Sequence, residues 1–237
     1  MTKIAPQLSS FLVPIAAMPT EEGKTSADVF RALLKGRPYV YAGNQLLFER
    51  EGEFFLTMIE YNKSIYTKEH YALLPFRAPF QLIDGKLVNM ASPLYQHQNT
   101  IKNLSIIMSL YIREHKVGVV QFAPLDVHFD KENIFQPDIL FISNERKDII
   151  KKWIHGAPDL IVEVLSSNKK HDLGKKKDKY GEHNVLEYWA IDYRTQTLDA
   201  YVNEDRKMIL KKSYQAADEV QSEVLKGFSF VLKEIFE

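Results

Sequence analysis

One acid in the middle of an apolar run constrains this chain more than any other feature. Leu160-Ile-Val-Glu-Val-Leu165 is far too short to cross a bilayer and too continuously apolar to be a half-wetted strand. It reads as an interior strand over about residues 159–166, and such strands belong to sheets covered by other layers. Glu163 stands at its centre. A carboxylate placed there costs several kcal/mol unless a cation or hydrogen bonds receive it. Asp138 poses the same problem, because Pro137-Asp138 opens Ile139-Leu-Phe-Ile142, a second interior strand. Two acids on neighbouring interior strands repel unless positive charge lies between them. A divalent cation is the economical answer, and hard carboxylate oxygens favour magnesium or manganese over zinc. For either acid alone, a salt bridge or a strand end facing water is the plainer explanation.

Positive charge is available nearby. Asp172-Leu-Gly-Lys-Lys176-Lys-Asp-Lys-Tyr180 sets Asp172, Lys176 and Tyr180 four residues apart, on one face of an expected helix over residues 171–182. Six lysines against two aspartates between residues 169 and 179 make this the most basic stretch of the chain. A lysine beside the acids could orient an attacking water and stabilise charge growing on a phosphoryl oxygen. A solvated, charge-laced helix face is the simpler alternative. His97, just after Ser92-Pro93, opens a long helix and is a candidate metal ligand or proton-transfer group, against a surface or capping role. Asp126, in Ala123-Pro-Leu-Asp-Val, is a polar residue in an expected strand and is equally well explained by facing outward.

The remaining pattern is of mixed α and β type. Residues 25–35 read as a short helix, and residues 39–42, 45–48 and 54–59 as short strands. Asp84-Gly85 between alternating apolar residues marks a hairpin. A helix follows over residues 95–115, with Ile101, Leu104, Met108, Tyr111 and Ile112 on one face. Strands are expected over residues 119–129 and 134–143, a helical connection over 146–153, and strands over 186–192, 197–202 and 208–214. This separates a segment of residues 1–65, to which no chemistry can be assigned, from a domain of residues 66–237. The absence of cysteine excludes thiolate metal sites and a cysteine nucleophile, and makes a reducing cytoplasm the default compartment. Basic and acidic residues balance at 31 each, against the basic excess usual in tight duplex binders. There is no Walker loop, GxSxG elbow, GxGxxG or HExxH motif.

Taken in order, several motifs resemble one bacterial family. They are Phe80-Gln-Leu-Ile-Asp-Gly-Lys-Leu-Val, Tyr95-Gln-His97-Gln98, Ala123-Pro-Leu-Asp-Val, Gln136-Pro-Asp138, Gly156-Ala-Pro-Asp-Leu-Ile-Val-Glu163-Val-Leu-Ser166, Asp172-x-x-x-Lys176-x-x-x-Tyr180 and Leu186-Glu-Tyr-Trp-Ala-Ile-Asp192. Together, over residues 66–214, they are similar to the Uma-two family of restriction-endonuclease-like proteins. The resemblance implies a PD-(D/E)XK fold: an α/β (α+β) core with a central mixed sheet flanked by helices and a metal site at one edge. Asp138 would be the motif aspartate and Glu163 the following acid, together holding Mg2+ or Mn2+. The superfamily's lysine usually stands two residues after that acid, where this chain has Leu165, so the resemblance moves the basic role to Lys176. His97 and Gln98 would occupy the first-helix site position, with Asp172, Tyr180 and Asp126 in support. The expectation is a magnesium-dependent endonuclease acting on DNA, with a homodimer left open. The alternative is a catalytically silent binding or regulatory module, for which the neutral charge and Leu165 both speak.

Overall fold

A computed structural model of the chain describes residues 65–72, 74, 78–90, 92–165 and 171–237, with backbone alone for 12–14, 39–42, 45–50, 53–58 and 171–173. The helix expected over residues 25–35 lies outside them. Two compact units divide the chain, Met1–Met90 and Ala91–Glu237.

In the first unit, β1 (Leu12–Pro14), β2 (Tyr39–Ala42), β3 (Gln45–Arg50) and β4 (Glu53–Met58) form an antiparallel sheet in the order β1-β4-β3-β2. A single helical turn, α1 (Lys68–Tyr71), precedes the hairpin of β5 (Phe80–Ile83) and β6 (Lys86–Asn89). Asp84 and Gly85 both have positive φ, 49° and 67°, as a two-residue hairpin turn of matching twist requires. At Gly85 a side chain would also meet Ile65, 2.5 Å from an added Cβ.

The second unit opens with α2 (Tyr95–His115), whose bounds agree with the hydrophobic period. Ile101, Leu104, Met108 and Ile112 are buried, Tyr111 half-buried, and Lys116 ends the helix in the left-handed region. A six-stranded mixed sheet follows, made of β7 (Gly118–Phe122), β10 (Ile139–Ser143), β12 (Leu160–Val164), β13 (Glu187–Asp192), β14 (Thr197–Glu204) and β15 (Lys207–Tyr214). Its order is β15-β14-β13-β12-β10-β7. The β12–β13 pair is parallel and the other neighbours are antiparallel. A side ribbon comprises β8 (Val127–His128), β9 (Ile134–Phe135) and β11 (Ile154–His155).

Alternation along the interior strands assigns the two faces. Ile139, Phe141, Leu160, Val162, Val164, Trp189 and Ile191 join the α2 residues in one core. The C-terminal hairpin of β16 (Glu219–Gln221) and β17 (Ser229–Val231), with the 3-10 turn Leu232–Ile235, adds Val220, Phe230, Leu232 and Ile235 to it. These last elements are additional to the sequence reading. The opposite face carries Glu163 and Tyr188 and is met by α3 (Lys177–Glu182).

Four expected elements are corrected. The strand over residues 119–129 breaks between β7 and β8, where Pro124 has no N–H for a ladder. The strand over 134–143 breaks likewise at Gln136-Pro137-Asp138. The connection over 146–153 is a 3-10 helix, Asn144–Ile149. The helix over 171–182 begins as a π-helical stretch, His171–Lys176, and becomes α only from Lys177.

Candidate functional site

The register of β10 against β12 pairs Ile139 with Val162. Continued by one residue it sets Asp138 opposite Glu163, so the two acids occupy facing positions where β10 begins. Because Pro137 delays β10, the Val164 N–H receives its hydrogen-bond acceptor from the Asp138 side chain, whose Oδ2 lies 2.7 Å away. The Asp138 carboxylate thus takes over a ladder position and is fixed by the sheet. His97, in the first turn of α2, brings Nε2 to 3.5 Å from the same oxygen. Its Nδ1 is buried and finds no hydrogen-bond partner among the described residues. Burial pulls the His97 imidazole pKa down, but the Asp138 carboxylate, helped by the Val164 backbone and the Glu163 charge, outweighs it and leaves the value above its ordinary one.

Glu163 is 4 % exposed and Lys176 5 %, so each needs the other. Lys176 Nζ donates to Oε1 at 3.0 Å and to Oε2 at 3.1 Å. The Tyr180 hydroxyl donates to Oε1 at 2.5 Å. Burial, and then the neighbouring Glu163 charge, push the Tyr180 phenol well above its ordinary pKa, which keeps it a proton donor. Tyr180 is held among Phe129, Phe135 and Tyr188, with ring centroids 5.8, 5.5 and 5.6 Å away. The four-residue spacing expected of Lys176 and Tyr180 still brings both to Glu163, because Lys176, the last residue of the π-helical stretch, has right-handed helical φ and ψ and leads directly into α3.

The other expected site residues are placed differently. The side chain of Asp172 lies outside the described residues. Gln98 is exposed and borders a shallow groove on α2 with Lys102, Ser105 and Ile106. Asp126 precedes β8 instead of lying in a strand, and its Oδ1 accepts a hydrogen bond from Gln136 Nε2 at 2.8 Å. That bond ties the side ribbon to the segment carrying Asp138. Gln136 was overlooked, although its place before Pro137-Asp138 was a usable signal. Glu187 was overlooked as a further buried carboxylate besides Glu163. It accepts from Trp189 Nε1, Ser222 Oγ and the backbone N–H groups of Glu223 and Val224, all at 2.7–3.0 Å, which accounts for it structurally.

Among the described residues, no group of three or more His, Cys, Asp or Glu side chains gathers in a form able to hold a metal ion. No helix among them is long and apolar enough to cross a membrane.

A comparison with curated proteins gives no match. Among solved structures, the chain resembles one described as a putative nuclease from Anabaena variabilis, with a TM-score of 0.60 and 18 % identity. The similarity covers 72 % of this chain and 97 % of that one. At that identity it shows a shared fold, mixed sheet and flanking helices included. The model of the Uma2 family, described as "Putative restriction endonuclease", matches residues 69–233. The match takes in α2, both interior acids, Lys176 and Tyr180, and spans well over half of the sequence. The chain belongs to the Uma2 family.

Proposed function

We propose that the protein is a metal-dependent endonuclease that hydrolyses phosphodiester bonds in DNA, with Asp138 and Glu163 holding Mg2+ or Mn2+. The observation that carries this reading is the facing position of two carboxylates on adjacent interior strands, one beside an imidazole and the other beside a buried lysine. The donor set suits such an ion. Magnesium is commonly held by one or two carboxylates, with water and substrate phosphate completing its shell, so a third protein ligand is not required. When bound, the ion supplies an activated water and charge stabilisation at the phosphoryl group. The chain's own residues do the rest. Val164 N–H fixes Asp138, and Tyr180 fixes the orientation of the Glu163 carboxylate. Lys176 holds its ammonium against Glu163, where it would offset charge developing on a phosphate bound at that carboxylate. His97, adjacent to Asp138, orients or exchanges a proton at the same edge of the sheet.

A second reading is a nuclease-fold protein that binds or regulates without cleaving. One observation favours it: both Glu163 oxygens are already bonded to an internal cation. Incubating the protein with supercoiled plasmid, linear duplex, single-stranded DNA and RNA, with and without Mn2+, separates the two. Metal-dependent cleavage that disappears in folded Asp138→Ala and Glu163→Ala proteins supports the first reading. A folded, metal-supplied protein that cleaves none of these substrates supports the second.

A further inference from the structure

Between the 3-10 turn and β12 the chain makes a tight reversal. Ile150 bridges Ile154, and Lys151 N–H donates to the Trp153 carbonyl at 2.9 Å. Lys151, Lys152 and Trp153 form its tip and all three are exposed. Trp153 is 37 % exposed, whereas Trp189, the other tryptophan, is 0 %. Its ring lies 5.4 Å from that of His128, which in turn stacks on His155 at 4.9 Å and 25°. The Lys152 ammonium sits 4.5 Å from the Trp153 ring centroid. Lys147 is exposed in the same segment, which carries Glu145 and Asp148 as its acids. Three aromatic rings in series, with lysines at one end, offer both contacts that an unpaired nucleotide needs: a π-face for the base and ammonium groups for the phosphate.

The cluster is joined to the acidic pair through the backbone. Ile154 N–H donates to the Asp126 carbonyl, and the Asp126 side chain accepts from Gln136, two residues before Asp138. A strand resting on the rings is therefore held by the same ribbon that leads to the candidate catalytic edge.

We propose that Trp153, with His128, His155, Lys151 and Lys152, forms a stacking platform for single-stranded nucleic acid, so that the site takes an unpaired or locally opened strand. The base stacks on the Trp153 ring in exchange for the Lys152 ammonium, which moves to the phosphate. This rests on the nuclease reading for its biological sense but not for its test. Base stacking outweighs an exposed cation–π contact, so the exchange is favourable.

The test is binding in EDTA, where cleavage plays no part, using a short fluorescein-labelled single strand and the same sequence as a duplex. Because Trp189 is fully buried, quenching of tryptophan emission by the unlabelled strand reports Trp153. The expected results are quenching by the single strand, and anisotropy showing it bound about tenfold or more tighter than the duplex. Trp153→Ala should weaken binding about tenfold, and Trp153→Phe should largely restore it. Lys151→Glu with Lys152→Glu should weaken it by a similar factor and flatten its salt dependence, which guards against a misfolded tryptophan variant. Equal affinity for both forms, or a Trp153→Ala protein that binds unchanged, overturns the proposal. Trp153-dependent binding without cleavage under Mn2+ would sink the nuclease reading and leave this one standing. Cleavage that ignores Trp153 does the reverse.

Discussion

Removing the Lys176 ammonium tests the interior directly. Lys176→Met keeps the length and apolar stem of the side chain while leaving the Glu163 carboxylate buried with Tyr180 as a neutral donor. Side-chain exposures of 6 % and 5 % show that water cannot take the lysine's place without rearrangement. Breaking a buried pair from one side costs about 3–5 kcal/mol, most of it the penalty of the stranded charge. With a urea slope of about 2 kcal/mol/M, the unfolding midpoint should fall by roughly 2 M. If stranded charge is the cause, Glu163→Gln on top of Lys176→Met should recover most of the loss, because the pair is then removed from both sides. The assay is urea denaturation followed by far-ultraviolet circular dichroism of all three proteins. A loss below about 1 kcal/mol for Lys176→Met, or a double variant no better than the single one, would refute the reasoning.

Tyr180→Phe deletes one hydrogen bond to a charged acceptor and should cost about 1.5–3 kcal/mol, read by the same denaturation. Gly118→Ala should be strongly destabilising, by about 2 kcal/mol or more, because its Cβ would fall 2.3 Å from the Ile142 carbonyl oxygen and 2.6 Å from the Phe141 ring. Thermal unfolding checks this, and a near-neutral result would show that β7 yields. His183 should titrate below the ordinary imidazole value, since burial outweighs the attraction of Asp130. Its folded-state pKa being depressed, the stability it contributes is present above the unfolded-state value and is lost as pH falls through the folded one. Histidine NMR titration reads the shift, and His183→Gln should lessen the loss of stability over that acidic range.

Much of this was legible in the sequence where one period dominated. The bounds of α2 followed from its apolar residues, and the β5–β6 turn from Asp84-Gly85, because only residues tolerating positive φ fit there. Glu163 and Lys176 were found together because a charge in an apolar strand demands a partner and helix spacing supplied one. The strand breaks at Pro124 and Pro137 were readable but overridden by the apolar runs around them. What could not be read is distance between segments far apart in the chain. Glu187 receives Ser222, 35 residues later, and Asp126 receives Gln136 across a ribbon whose strands have two residues each. Residues so short in pattern leave no periodic signal. The stack of His128, Trp153 and His155 arises in the same way, from a parallel pairing that composition does not announce.

Calorimetric titration with Mn2+ tests the proposed metal site most directly, comparing the unaltered protein with Asp138→Asn and Glu163→Gln proteins whose folding has been verified by circular dichroism. Saturable binding in the unaltered protein, lost or greatly weakened in both variants, is the expected result. No binding in the unaltered protein, or binding that persists in both variants, contradicts it.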